Sequence, residues 1–122
     1  MRVEPVTDTN IAIIGAGVGG CIAALALAPH YSVTLIDKLA TPEPRVGECL
    51  PPAALRILRR LDLAGLMTSQ HMLSQGMVSF WGCEQPDIVD NLKNPDGFGW
   101  HLDRQHFEQQ LRNAVIQIHN RK

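Results

Sequence analysis

Three glycines and one acid are the residues whose types and order point to chemistry. Gly15, Gly17 and Gly20 follow the apolar run Ile11 to Ile14, precede the small-residue stretch "CIAALALA", and are answered by Asp37 at the end of "SVTLID". Gly15 permits a sharp turn out of a strand, where a Cβ would clash. Gly17 lets the backbone approach a pyrophosphate closely, and Gly20 lets a helix pack tightly on the strand. Phosphates at such a helix N-terminus meet unpaired N–H groups and the positive end of the dipole. A carboxylate at Asp37 accepts hydrogen bonds from ribose hydroxyls and repels a 2′-phosphate, which disfavours NADP. The triad alone does not say which dinucleotide is held.

The cradle needs elements that place it. Ile11 to Ile14 is continuous and β-branched, as in a strand buried on both faces of a parallel sheet. "CIAALALA" favours helix and is closed by Pro29, and Ser32 to Asp37 reads as a second buried strand. Strand, helix and strand within about 30 residues imply a right-handed βαβ unit. "KLATPEPRVGECLPP" is then an irregular connection rich in proline. Pro51 and Pro52 start a helix over "AALRILRRLDLAGL", with Leu55, Leu58 and Leu61 facing inward and Arg56, Arg59 and Arg60 outward. Gly76 to Cys83 has strand composition, "EQPDIVDNLKNPDG" reads as a polar loop or hairpin turn, and Gly99 to Leu102 as a short strand. Asp103 is an N-cap for a helix carrying Phe107, Leu111, Ala114, Val115 and Ile118 on one stripe.

Composition bounds the function. With 122 residues, 45% hydrophobic, the chain is one globular domain or a piece of one. A net charge of −1 gives no general reason to bind nucleic acid or an anionic membrane. The longest apolar run, Ile22 to Pro29, is far short of the roughly 20 residues of a membrane span. The polar opening "MRVEPVTDTN" is unlike a secretory signal, and three widely spaced cysteines make neither a disulfide framework nor a zinc pattern. The cytoplasm is the default compartment. Residues 1–9 read as a tail and 10–122 as one nucleotide-binding domain.

Beyond Asp37, "RVGECLPPAALRILRRLDL", "VSFWG" and "GFGWHLDRQHFEQQL" resemble FAD-dependent monooxygenases of the para-hydroxybenzoate hydroxylase type. Within that class they are most similar to the branch of flavin-dependent tryptophan halogenases, and closer still to the flavoproteins that hydroxylate a protein tryptophan during quinone-cofactor biogenesis. The resemblance implies an α/β, Rossmann-like FAD-binding fold, the N-terminal portion of a two-domain flavoprotein. It implies that Gly15, Gly17 and Gly20 hold the FAD pyrophosphate, with the N–H groups of Ala16, Val18, Gly19 and Gly20 as donors. Asp37, with Lys38 beside it, takes the adenosine ribose. Arg45 reaches the phosphate or ribityl region, Gly47 and Glu48 lie beside the flavin path, and Arg104 offers a guanidinium fork to phosphate or ribityl oxygens. It further implies oxygenation of an aromatic or indole substrate, free or in a protein, with electrons from NAD(P)H or a flavin reductase.

One departure bears on the reaction. The halogenases' relay lysine would fall in "SQGMVSFWG", and no lysine occurs between Lys38 and Lys93, so hydroxylation is favoured over halogenation. Family members are several times longer, and none of these residues stands out as a catalytic acid, base or nucleophile. Plainer roles compete at several positions: Arg45 as a solvated cation, Arg104 paired with Glu108 one turn on, and Glu48 as a surface carboxylate. Cys21 reads as a small buried hydrophobe, Cys49 as an inert thiol, and Trp81 and Trp100 as core or interface residues. His101 and His106 do not share a helix face, so metal binding is disfavoured. A rival reading is a non-catalytic nucleotide-binding module, whose open sheet edges lead it to self-associate as a homo-oligomer or to pair with a missing half. A small NAD-binding regulatory domain keeps the triad but leaves "RVGECLPP" and "GWHLDR" unexplained.

Overall fold

The computed structural model describes residues 9–68 and 70–120, so the N-terminal tail lies outside it but for Thr9. The chain divides into two compact units. One joins the residues up to Arg45 to those from Gln105 onward, and the other is Val46–Arg104.

In the first unit, β1 (Asn10–Ile14) and β2 (Ser32–Ile36) run parallel with Ile11 opposite Val33 and Ile13 opposite Leu35. Between them α1 (Val18–Leu27) forms the crossover expected of so short a connection. Side chains alternate across a strand, so one face of the ribbon carries Ile11, Ile13, Val33 and Leu35, all half-buried. The opposite face carries Ala12, Ile14, Thr34 and Ile36, and Ile14 is 87% exposed. The expectation of strands covered on both faces is therefore corrected: among the described residues of this unit the ribbon is covered on one face only. The later helix of this unit, α3 (Arg104–Asn120), buries Phe107 and Leu111, and Ala114, Val115 and Ile118 of the expected stripe are half-buried. With Cys21, Ala24 and Leu25 of α1 they make up most of the unit's core.

Cys21 is wholly buried in that core. Burial pushes its thiol up from 9.0 to about 11, against the lowering effect of the Arg112 charge and with help from Glu108 and Asp37. An unfolded chain therefore releases this proton at lower pH than the folded one. The contribution is intact below 9.0 and is lost as pH rises toward 11, by about 2 kcal/mol. Cys21→Ala is expected to flatten this alkaline loss, read as the denaturant midpoint on either side of pH 9.0. Equal alkaline slopes in the two proteins would count against it.

In the second unit, β3 (Cys49–Leu50), β4 (Met72–Ser74) and a last strand, Gly99–His101, form an antiparallel sheet with Gly99–His101 in the middle. β5 (Gly76–Ser79) and β6 (Asp87–Asp90) pair as a hairpin, Met77 opposite Val89 and Val78 opposite Ile88, which makes the central strand of the other sheet β7. The region read as a polar loop thus contains a strand. Its "DIVD" core has only two apolar residues and pairs because "MV" stands across from it. Trp81 just beyond β5 is 82% exposed, so it is not a core residue of this chain. α2 (Ala54–Arg60) starts on the Pro51 and Pro52 carbonyls, which accept from Ala54 and Leu55. Leu58 is buried, Leu55 and Leu61 half-buried, and the three arginines exposed, as the spacing predicts. Asp62, at φ 59°, ends the helical run, a conformation short polar side chains tolerate.

Candidate functional site: a dinucleotide cradle

The cradle is built where β1 turns into α1. Gly15 has φ 105°, a left-handed conformation that side chains rarely adopt, and its N–H donates to the Ile36 carbonyl at 2.6 Å. That bond carries the parallel ladder one step past β1 and locks the turn to the end of β2. Gly20 is required for a different reason. A Cβ placed there would stand 1.8 Å from the Gly15 carbonyl oxygen, so the first turn of α1 packs directly on the turn's backbone.

Gly17 and Gly19 behave otherwise. A Cβ on either meets nothing within 4 Å, and neither has positive φ, so no contact within the protein demands glycine there. The open space lies over the helix N-terminus, where Gly17 is the N-cap and no side chain caps the helix. The first intrahelical bond runs from the Cys21 N–H to the Gly17 carbonyl. The N–H groups of Val18, Gly19 and Gly20 belong to the first turn, which has no intrahelical acceptors to offer them. Open space at both glycines, above three first-turn donors and a positive dipole end, suits a pyrophosphate.

Asp37 closes the other side. Its Oδ2 accepts from the Ala16 N–H at 2.7 Å and its Oδ1 from the Leu39 N–H at 2.8 Å. Ala16 was expected among the phosphate donors. In this structure its N–H is turned to the carboxylate. These two bonds, then the Arg112 and Lys38 charges, hold the Asp37 carboxyl below its ordinary 3.8 despite some opposing desolvation. The carboxylate therefore stabilises the fold above pH 3.8, and that contribution is lost as the pH falls through its lowered value. Lys38 itself is exposed beside it.

Sequence reasoning missed Arg112. Its Nε donates to the Ala16 carbonyl at 3.1 Å, its Nη1 to the Leu39 carbonyl at 2.8 Å, and its Nη2 stands 3.6 Å from Asp37 Oδ2. The only hint in the sequence is that it adjoins the buried Leu111 on the inward side of an amphipathic helix.

The remaining candidates gather in the second unit, apart from Arg45, which is exposed in the connection after β2. Gly47 sits so close to the Leu102 carbonyl that a Cβ would come within 2.8 Å of it, and the Leu102 N–H donates to the Glu48 carbonyl at 2.8 Å. Arg104 Nη1 pairs with Glu48 Oε1. The "RVGE" and "LDR" segments are thereby brought together, and Glu48 has a partner that its local sequence does not reveal. The Arg104 side chain is 15% exposed, that of Glu48 66%. Among the described residues no cluster of His, Cys, Asp and Glu is arranged to hold a metal, and no helix is long and apolar enough to cross a membrane.

Comparison with known proteins agrees with this fold. The chain is 30% identical over 115 residues to the flavin-dependent halogenase armH2 of Armillaria mellea, covering 91% of this chain and 22% of that protein. Among solved structures, the flavin-dependent halogenase Xcc4156 from Xanthomonas campestris superposes with a TM-score of 0.72 at 17% identity, over 89% of this chain and 33% of that one. The peptidyl tryptophan dihydroxylase QhpG, described as essential for tryptophylquinone cofactor biogenesis, gives a TM-score of 0.66 at 24% identity, over 88% and 23%. The shared fold is the Rossmann-type nucleotide-binding part of these flavoproteins, and this chain spans about a fifth of the Armillaria protein's length. The family model described as tryptophan halogenase matches residues 10–92, well over half of the sequence, and by that match the chain belongs to the tryptophan halogenase family.

Proposed function

We propose that residues 10–122 are the FAD-binding, N-terminal portion of a flavin-dependent oxidoreductase that oxygenates an aromatic or indole substrate. The observation that carries this is the empty space over Gly17 and Gly19 at the N-terminus of α1, bounded by an acid at the end of β2. The Val18, Gly19 and Gly20 N–H groups would hold the pyrophosphate, and Asp37 the adenosine ribose, where its charge turns away a 2′-phosphate. Arg45, and Arg104 with Gly47 and Glu48, would follow the cofactor toward its ring. When bound, FAD supplies the redox chemistry, the reduced ring activating O2 with electrons from NAD(P)H or a flavin reductase. The chain's own residues bind and orient it.

Hydroxylation is the better reading than halogenation. No lysine lies between Lys38 and Lys93, and β5 ends on Ser79 and is followed by Phe80 and Trp81, within the stretch where the resemblance would put the relay lysine. In the whole flavoprotein, with chloride and O2 both supplied, oxygen rather than halogen is expected in the product. A halogenated product would reverse this.

The direct test of the cofactor is the visible spectrum of the purified chain after adding FAD and removing the excess. A retained flavin band supports the reading, and a band retained with NAD or NADP competing supports FAD over either. A chain that binds nicotinamide dinucleotides and not flavin would overturn it. A second reading, a module that self-associates, is favoured by the bare face of the β1–β2 ribbon around Ile14 and Ile36. Sedimentation decides it, since a monomer at every concentration rules it out.

A further inference from the structure

We propose that Arg112 is the positioning residue of the cradle, its guanidinium tying the glycine turn, the turn after β2 and the Asp37 carboxylate into one unit that presents the acid to the dinucleotide in a fixed orientation. This rests on the dinucleotide reading above. It adds a residue from a different helix, far from the cradle in sequence.

The geometry makes a closed circuit. The Ala16 peptide is held at both ends, its N–H by Asp37 Oδ2 and its carbonyl by Arg112 Nε. The Leu39 peptide is held likewise, its N–H by Asp37 Oδ1 and its carbonyl by Arg112 Nη1. Arg112 Nη2 and Asp37 Oδ2, 3.6 Å apart, close the ring between acid and base. Two nitrogens of one side chain thus donate to two backbone carbonyls while the third faces the carboxylate at ion-pair distance, an arrangement suited to a planar fork of donors. An ammonium would reach one of them.

The burial is consistent with this role. The Arg112 side chain is 11% exposed and that of Asp37 20%. A largely buried guanidinium without acceptors is costly, so the circuit is also the condition for α3 to lie where it does. A carboxylate offers about four acceptor sites, and the two backbone bonds leave others for ribose hydroxyls. Without Arg112, Asp37 keeps its N–H partners but loses the charge beside it, and the two turns lose their common anchor. The charged and titratable groups around Asp37 are Arg112 from α3, Lys38 beside it in the chain, and Cys21 of α1, which also feels Glu108.

The test reads Asp37 directly. In the wild-type chain, the side-chain carboxyl carbon of Asp37, the Ala16 and Leu39 amides and the Arg112 Nε–H are followed by NMR through an acid titration. The circuit predicts that all four move at one midpoint, below the ordinary aspartate value. Arg112→Gln is expected to raise that midpoint toward the ordinary value and to weaken binding of ADP, used as a flavin-free probe, about tenfold. Arg112→Lys keeps the charge and so keeps the midpoint low, yet loses the fork and so still weakens ADP. A purely structural arginine would lower thermal stability in both variants and leave ADP affinity of the folded variants unchanged. Independent titration of the four signals in the wild type, or unchanged ADP affinity in both folded variants, overturns the proposal. Should Arg112→Gln fail to fold, the wild-type titration decides alone. Absence of ADP binding by the wild type would instead count against the dinucleotide reading, and the common midpoint would still judge the circuit.

Discussion

Gly20→Ala is expected to abolish the folded βαβ unit. The added methyl would stand 1.8 Å from the Gly15 carbonyl oxygen and 3.0 Å from its carbon, with Ile13 Cγ2 at 3.5 Å behind. The obstructing atoms are backbone, and that backbone is fixed by the Gly15 N–H bond to Ile36. No rotamer change relieves the clash. α1 must lift away from the turn by more than an ångström, opening the core around Cys21, Ala24 and Leu25. The expected cost exceeds about 4 kcal/mol, beyond the range of ordinary overpacking and a large fraction of a small domain's stability. Loss of cooperative thermal unfolding by circular dichroism is the readout. A variant melting within a few degrees of wild type would show that α1 does not pack on Gly15 as described.

Gly17→Ala should fail in the opposite way. Its φ is −76°, ordinary for any residue, and its Cβ would enter open space. The fold should survive with a loss under about 1 kcal/mol, the difference between glycine and alanine at an N-cap. FAD affinity should nevertheless fall on the order of a hundredfold, about 3 kcal/mol, because the methyl occupies the space assigned to the pyrophosphate. Flavin fluorescence titration measures the affinity and thermal melting the fold. Affinity unchanged from wild type would place the phosphates elsewhere. Two glycines three positions apart thus separate holding the fold from holding the ligand.

Which parts of this were legible in the sequence follows from how local their causes are. β1, α1 and β2 were readable because the run Ile11 to Ile14, the small residues after Gly20 and the run Ser32 to Ile36 each carry their own signal. The α2 face was readable for the same reason. β3 and β6 were not. Cys49–Leu50 is a strand only because His101 and Trp100 lie opposite, and Asp87–Asp90 only because Gly76–Ser79 does. The site divides the same way. Gly15, Gly17, Gly20 and Asp37 announce themselves by spacing, and the resemblance pointed to Glu48 and Arg104, which the structure joins. Arg112 carries no such mark. Its role comes from where α3 places it, 96 residues from Ala16, and no local pattern records that distance.

The first unit is discontinuous in sequence, its two parts separated by Val46–Arg104. During synthesis this becomes a delay. The glycine turn and both strands leave the ribosome well before Phe107, Leu111 and Arg112 exist. At about 5–20 residues per second, the intervening segment takes roughly 3 to 12 seconds to make. For that interval Cys21, Ala24 and Leu25 have no α3 to bury them, and Asp37 holds the turn without its arginine. The nascent cradle is then an apolar βαβ unit awaiting its second helix, and its need for chaperone cover is set by elongation rate. Slower translation of codons 46–104 should lower the soluble yield more than slower translation of codons after 112.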